Sequence, residues 1–296
     1  MLSQFTAVKP RPFQVLRQIP GGGSVTLEGD QIGEGPPLLL VHGLSATRRN
    51  VVQGSRHLSR RGYSMVAYDA RGHGASSPAP DPGSYEYSDL VADLEAVIDQ
   101  LELERPVLVG SSMGAATVLT YALEHPELVP AMVQVTPAYA GEGRTAEPVD
   151  DDEWERLARA LEHGGVDEFV EVSTPDDLPE RWQEVSREAT RQRMERHEHP
   201  DAIAAALRVV PYSRAFDGLD LLESFEPPTL IVGSRDESDW LHELKIAKEY
   251  ERRLPNAELV TEEKDQTPMA WQGARLSGAI ADFLERTGVA PQAESE

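Results

Sequence analysis

The sequence predicts an α/β fold in which a mainly parallel sheet carries helices on both faces. Three observations predict it. Short, near-continuous apolar runs recur from Pro37 onward, amphipathic stretches of helical period lie between them, and one run ends in a glycine-flanked serine that opens a helix. Strands covered by helices on both sides lose the apolar–polar alternation of half-exposed strands, which is how these runs read.

The elements follow in order. "VTLEGD" (25–30) reads as an additional strand, antiparallel and hairpin-linked. "PLLLVHG" (37–43), "YSMVAYDARGHG" (63–74), "PVLVG" (106–110), "AMVQVTP" (131–137) and "PTLIVG" (228–233) read as buried strands, and "AELVTEE" (257–263) as the last one. Residues 88–103 place Leu90, Val91, Leu94, Val97, Ile98 and Leu101 at helical spacing. Residues 115–126 form a second helix ended by Pro126, and 239–254 and 274–286 two more. From about 140 to 218 the rhythm breaks: helix-like stretches at 151–164, 179–197 and 201–210 have no strong strand between them. A helical insertion between two sheet strands is expected to form a lid. The expected organisation is therefore a core of 1–139 and 219–288, a helical cap at 140–218, and a disordered tail at 289–296.

Composition narrows the function. A chain of 296 residues, 40% hydrophobic and 27% charged, can bury a sizeable core. Its net charge of −23 disfavours nucleic acid and anionic membrane surfaces as partners. A solvated acidic surface explains that charge, and adaptation to high salt is the sharper alternative. No apolar run approaches the roughly 20 residues that cross a bilayer, and the first residues lack a secretory apolar stretch. Without cysteine there is no disulfide, thiolate nucleophile or cysteine-based metal site. The expectation is a cytoplasmic protein without metal or cofactor, acting on a small molecule. Its oligomeric state is left open.

The chemistry concentrates at Gly110-Ser111-Ser112-Met113-Gly114, which follows an apolar strand and precedes a helix. This is the pattern of a nucleophile elbow: the turn is too tight for neighbouring Cβ atoms, so glycines flank the serine. The helix behind Ser112 directs its positive end at the serine oxygen. In a hydrolase with such an elbow, one oxyanion donor is the amide after the nucleophile, here Met113. The other comes from the loop after the first long parallel strand, here the Leu44 amide after His42-Gly43. His42 is expected to order that loop rather than to transfer protons.

With these residues in place, the chain resembles the α/β-hydrolase family over residues 25–286. The resemblance rests on "HG" (42–43), "DARGHG" (69–74), "GSSMG" (110–114) and "IVGSRD" (231–236) in the right order. It is most similar to the small, helically capped hydrolases of esters, lactones and carbon–carbon bonds. The resemblance implies an eight-stranded sheet and points to Asp236 as the acid of a catalytic triad, with a turn or helix-cap role as the alternative. His73 and His125 match structural positions of the family. His57, His163, His197 and His199 are expected at the surface.

One departure matters. The family's histidine base lies after the last strand, and Pro268 with the terminal helix sets the register that puts Gln266 there. A glutamine amide hydrogen-bonds but does not titrate near neutrality, so it cannot take a proton from serine. No histidine follows His242. His242 is the nearest candidate in sequence, on the first turn of the 239–254 helix, which would have to tilt inward. His197 or His199 descending from the lid, and Lys264 with a depressed pKa, are further alternatives. The expected function is hydrolysis of a small carboxylic ester or lactone, with Ser112 as nucleophile and an atypical base. The alternative is a catalytically impaired protein of this fold that binds a small ligand, and a non-hydrolytic lyase or oxygenase is the weaker third reading.

Overall fold

The structure is a computed structural model that describes residues 9–141, 152–174, 178–235, 242–263, 271, 273–289 and 291. Eight strands form one sheet: β1 (Arg11–Gln18), β2 (Ser24–Ile32), β3 (Pro37–Val41), β4 (Ser64–Tyr68), β5 (Val107–Ser111), β6 (Met132–Val135), β7 (Thr229–Gly233) and β8 (Ala257–Thr261). Their spatial order is β1-β2-β4-β3-β5-β6-β7-β8. Strands β3 to β8 pair in parallel, and β2 pairs antiparallel with both β1 and β4.

The sequence missed β1. "RPFQVLRQ" is polar and contains a proline, yet every residue of it pairs with β2, from Arg11 opposite Gln31 to Gln18 opposite Ser24. It is an edge strand, where one face is solvated and proline is tolerated. Only Val15 is buried there, while Leu16 is half exposed. The run at 63–74 also divides: β4 ends at Tyr68, and the residues after it form a loop.

The helices are α1 (His57–Arg60), α2 (Tyr87–Gln100), α3 (Met113–Glu124), α4 (Glu153–Ser173), α5 (Glu180–Met194), α6 (Pro200–Val209), α7 (Leu244–Arg253) and α8 (Gly273–Arg286). On one sheet face, Leu39, Val41, Val66 and Leu108 pack with Leu94 of α2, Val118 of α3 and Tyr250 of α7. On the other, Leu38, Leu40, Val109 and Val133 pack with Leu58 of α1 and Leu276 and Ile280 of α8. This two-sided burial is what the unbroken apolar runs anticipated.

Between β6 and β7 the described chain is helical, with α4, α5 and α6 forming an insertion. Leu157, Leu161 and Phe169 of α4 pack on Met194 of α5 and on Ile203 and Leu207 of α6. Helix α4 runs past the expected end at 164 and kinks at Gly165, whose φ of 65° lies in the left-handed region open to glycine. At the C-terminus, Val289, expected in a disordered tail, donates its amide to the Leu284 carbonyl at 3.0 Å and packs on the α8 side of the core.

Candidate active site

Ser112 sits between the last residue of β5 and the first of α3, with φ 51° and ψ −113°. This strained conformation for a non-glycine residue is held from both sides. The Ser112 amide donates to the Val135 carbonyl of β6 at 3.0 Å, and its carbonyl accepts from Ala116 at 3.2 Å. The flanking glycines are sterically required. A Cβ on Gly110 would lie 2.3 Å from the Gly114 carbonyl oxygen, and one on Gly114 would lie 2.2 Å from the Val41 oxygen. The elbow is thus packed backbone against backbone onto β3.

The loop after β3 passes directly over the serine. A Cβ built on Gly43 would come within 3.2 Å of the Ser112 Cβ and 3.8 Å of its Oγ. Leu44, the next residue, sends its side chain toward the inserted helices, where it packs against residues of α4 and α6. Among the described residues, neither the Leu44 nor the Met113 amide is consumed by a turn or capping hydrogen bond.

Three buried histidines brace this loop. The His42 Nδ1–H donates to the Gly43 carbonyl at 2.8 Å, and its Nε2 accepts from the Ala70 amide at 2.9 Å. The His73 Nδ1–H donates to the Arg71 carbonyl, and its Nε2 accepts from the Ser45 amide at 3.3 Å. His197 accepts from the Gly74 amide at Nδ1 (2.8 Å) and donates from Nε2 to the Ser45 carbonyl (3.1 Å). Each ring therefore both accepts and donates, which requires the neutral imidazole. Burial lowers the pKa of all three, that of His197 to about 4.

The placement of His197 corrects the sequence reading, which put it at the surface or, alternatively, descending to Ser112. It is 9% exposed and belongs to the turn between α5 and α6, where its two ring nitrogens tie the insertion to the Ser45 and Gly74 backbones. Its sequence context, "MERHEHP", is polar, so nothing local marks it as buried. His163 is exposed, and His57 and His199 are partly buried. His42 orders its loop, as expected.

His242 is the other correction. The sequence put it on the first turn of a helix, from which it would reach inward only if the helix tilted. Helix α7 begins at Leu244 instead, and Glu243 before it is extended, with φ −55° and ψ 126°. His242 thus precedes the helix, free of helical geometry. Its Nε2 lies 2.8 Å from the Ser112 Oγ. Asp236, Lys264 and Gln266 lie outside the described residues.

Two further groups shape the site and were not singled out in the sequence. Glu262, 2% exposed just after β8, accepts from the Ser234 Oγ (2.9 Å) and the Arg235 amide (2.6 Å) at one oxygen. Its other oxygen accepts from the Trp271 indole at 3.2 Å. It fixes the first residues after β7, the strand from which the chain proceeds to His242. Arg71, fully buried, grips the Asp93 carboxylate of α2 through two bonds of 2.7 Å and donates to the Ser84 carbonyl at 2.8 Å. It holds the loop that carries His73.

The sheet order, the elbow and the loop over it define a fold, and a family model described as the alpha/beta hydrolase fold matches residues 36–216. The chain belongs to this family. The α/β-hydrolase assignment extends to individual relatives. The sn-1-specific diacylglycerol lipase of Xenopus laevis is 39% identical over 102 residues, 34% of this chain and 32% of that protein. The matched segment thus spans about a third of that relative. An AB hydrolase superfamily protein of Bacillus subtilis is 25% identical over 80% of this chain and 86% of its own length. Among solved structures, a thermophilic esterase from Thermogutta terrifontis superposes with a TM-score of 0.73 at 22% identity, covering 94% of this chain and 99% of the esterase. That likeness extends the α/β-hydrolase fold over nearly the whole chain.

Proposed function

We propose that the protein is a serine hydrolase for a small carboxylic ester or lactone, with Ser112 as nucleophile and His242 as general base. The observation that carries this reading is the 2.8 Å contact between the His242 Nε2 and the Ser112 Oγ. That distance is within hydrogen-bond reach of the proton a base must remove. Deprotonated as it attacks, the Ser112 oxygen adds to the substrate carbonyl, and the protonated imidazole then returns the proton to the leaving oxygen. The resulting acyl-serine is cleared by a water that His242 deprotonates in turn. The negative charge of each tetrahedral intermediate falls toward the Leu44 and Met113 amides at the positive end of α3. Such fixed donors are worth about 3–4 kcal/mol of barrier each in enzymes where one has been removed.

The acid that orients His242 is assigned to Asp236 from the sequence motif. Gln266 has no part in proton transfer. The inserted helices cover the reacting atoms and select the substrate, and the lipase relative supports the ester class.

The test is active-site labelling with a fluorophosphonate, together with turnover of short activated esters. Wild type is expected to be labelled at Ser112 and to release alcohol from the ester, whereas Ser112→Ala does neither. If the wild type resists labelling and turns over no ester, while a small ligand still raises its Tm, the hydrolase reading fails and the protein is a ligand-binding member of the family.

A further inference from the structure

A concavity lies outside the Ser112–His242 contact. It has a volume of about 410 Å³ and opens over the α1 side of β2, β4 and β3, beneath the chain from Thr47 to Arg56. Neither Ser112, His242, Leu44 nor Met113 lines it. Its floor is apolar, with Ile32, Val52 and Met65, and its wall contains Arg48, Arg49, Arg56 and Arg196.

The arginines differ in what they face. Arg48 is spoken for: its Nε donates to Asp30 at 2.7 Å, its amide to the Asp69 Oδ1 at 2.7 Å, and its Nη1 to the Asp69 Oδ2. Those two aspartates are the carboxylates of the cavity, and both are bonded to Arg48. Arg49 and Arg196 have no hydrogen-bond or ion-pair partner for their side chains among the described residues. In a chain with 51 acidic and 28 basic residues, two guanidinium groups at one cavity without a carboxylate stand out. Arg49 is also positioned: its guanidinium lies against Gly54, where a Cβ would fall 3.3 Å from its Cζ.

We infer that this cavity binds a small organic carboxylate, whose charged end is held by Arg49 and Arg196 and whose short apolar body rests on Ile32, Val52 and Met65. A guanidinium matches a carboxylate with two parallel N–H donors. The apolar floor gives an organic anion an advantage that an inorganic one lacks. The volume falls within the range of small-molecule sites. In a chain of net charge −23, an anion is favoured where basic side chains gather, as Arg48, Arg49, Arg56 and Arg196 do at this cavity. Arg196 precedes His197, and Thr47 and Arg48 follow Ser45, so the ligand spans the junction of the inserted helices and the loop over Ser112. The inference does not rest on Ser112 chemistry.

The test is calorimetric titration of hexanoate into the full chain at fixed ionic strength, with hexanamide and inorganic phosphate as parallel probes. Hexanoate is expected to bind one saturable site at least tenfold more tightly than either. The double substitution Arg49→Ala/Arg196→Ala is expected to weaken hexanoate at least tenfold without changing Tm in the absence of ligand. Ser112→Ala is expected to leave hexanoate binding unchanged. Equal affinity for hexanamide would remove the role of charge, and equal affinity for phosphate the role of the apolar floor. Unchanged binding in the double variant, or loss of binding in Ser112→Ala, would move the ligand elsewhere. Any of these results overturns the inference.

Discussion

The elbow at Ser112 and the segment at His242 supply the two atoms of one 2.8 Å contact, yet they are built differently. Ser112 is locked by its own neighbourhood, with a strand hydrogen bond on one side, a helix on the other, and two glycines whose missing Cβ atoms let the backbone approach β3. His242 stands two residues ahead of α7, separated from it by the extended Glu243, and is positioned by where α7 lies rather than by a local motif. The serine is therefore tied to a fixed motif, whereas the proposed base need only reach its oxygen. Such a base can come from a different segment of the chain while the fold stays the same.

The largest expected effect breaks this contact. His242→Ala is expected to lower kcat for a short ester by on the order of 10⁴-fold or more, by analogy with the loss of a triad histidine in subtilisin. Gln266→Ala is expected to change it by less than about tenfold, because an amide supplies no proton transfer. Steady-state kinetics of the two variants decide the matter, and a reversal of their order would return the base function to the loop after β8.

Next in size is the buried support of the loop opposite. Arg71→Ala leaves Asp93 buried with only Arg17 at 3.2 Å as a charged partner among the described residues. Urea denaturation should show a loss of about 3–5 kcal/mol, the usual cost of breaking a buried ion pair. A loss below about 1 kcal/mol would mean the loop carrying His73 does not depend on this pair.

The third concerns pH. Burial pushes the His197 pKa down to about 4, below its unfolded value of about 6.5. The unfolded chain thus binds a proton that the folded chain refuses, so stability falls as pH drops from about 6.5 toward 4. The contribution is on the order of 3 kcal/mol. His42 and His73, facing His197 in the same cluster, act in the same direction. His197→Gln keeps a donor and an acceptor but cannot titrate, so its Tm should fall less between pH 7 and 4 than that of the wild type. An identical fall in both would exclude His197 as a source of the acid sensitivity.

The smallest effect lies beside the elbow. Gln134, fully buried in β6 opposite Gly110, has neither its amide nitrogen nor its oxygen bonded among the described residues. Replacing it with Met keeps the volume and removes the unpaired dipole, with an expected gain of about 1–3 kcal/mol. Thermal denaturation measures this, and a loss of stability would show that the amide serves a purpose at the back of the elbow.

Most of the frame was legible because it is written locally. Buried strands read as apolar runs, the elbow reads as glycines around a serine, and β2 reads as an additional antiparallel strand. Three features were not legible, for separate reasons. Strand β1 is polar because it is an edge. His197 is buried by contacts with backbone groups more than 100 residues away in sequence, which leave no trace in the polar run around it. The role of Glu262 as an anchor for the chain after β7 is equally non-local.

The sequence by itself determined the α/β-hydrolase frame, the helical insertion between β6 and β7 and the position of Ser112. These follow from periodicity and from steric rules acting over a few residues. Only the tertiary structure decided that His242 faces Ser112 and that His197 binds the insertion to the loop after β3. Both outcomes depend on where distant elements come to rest on the sheet. A shift of one helix start by a few residues moves a side chain through several ångströms, farther than the reach of a hydrogen bond.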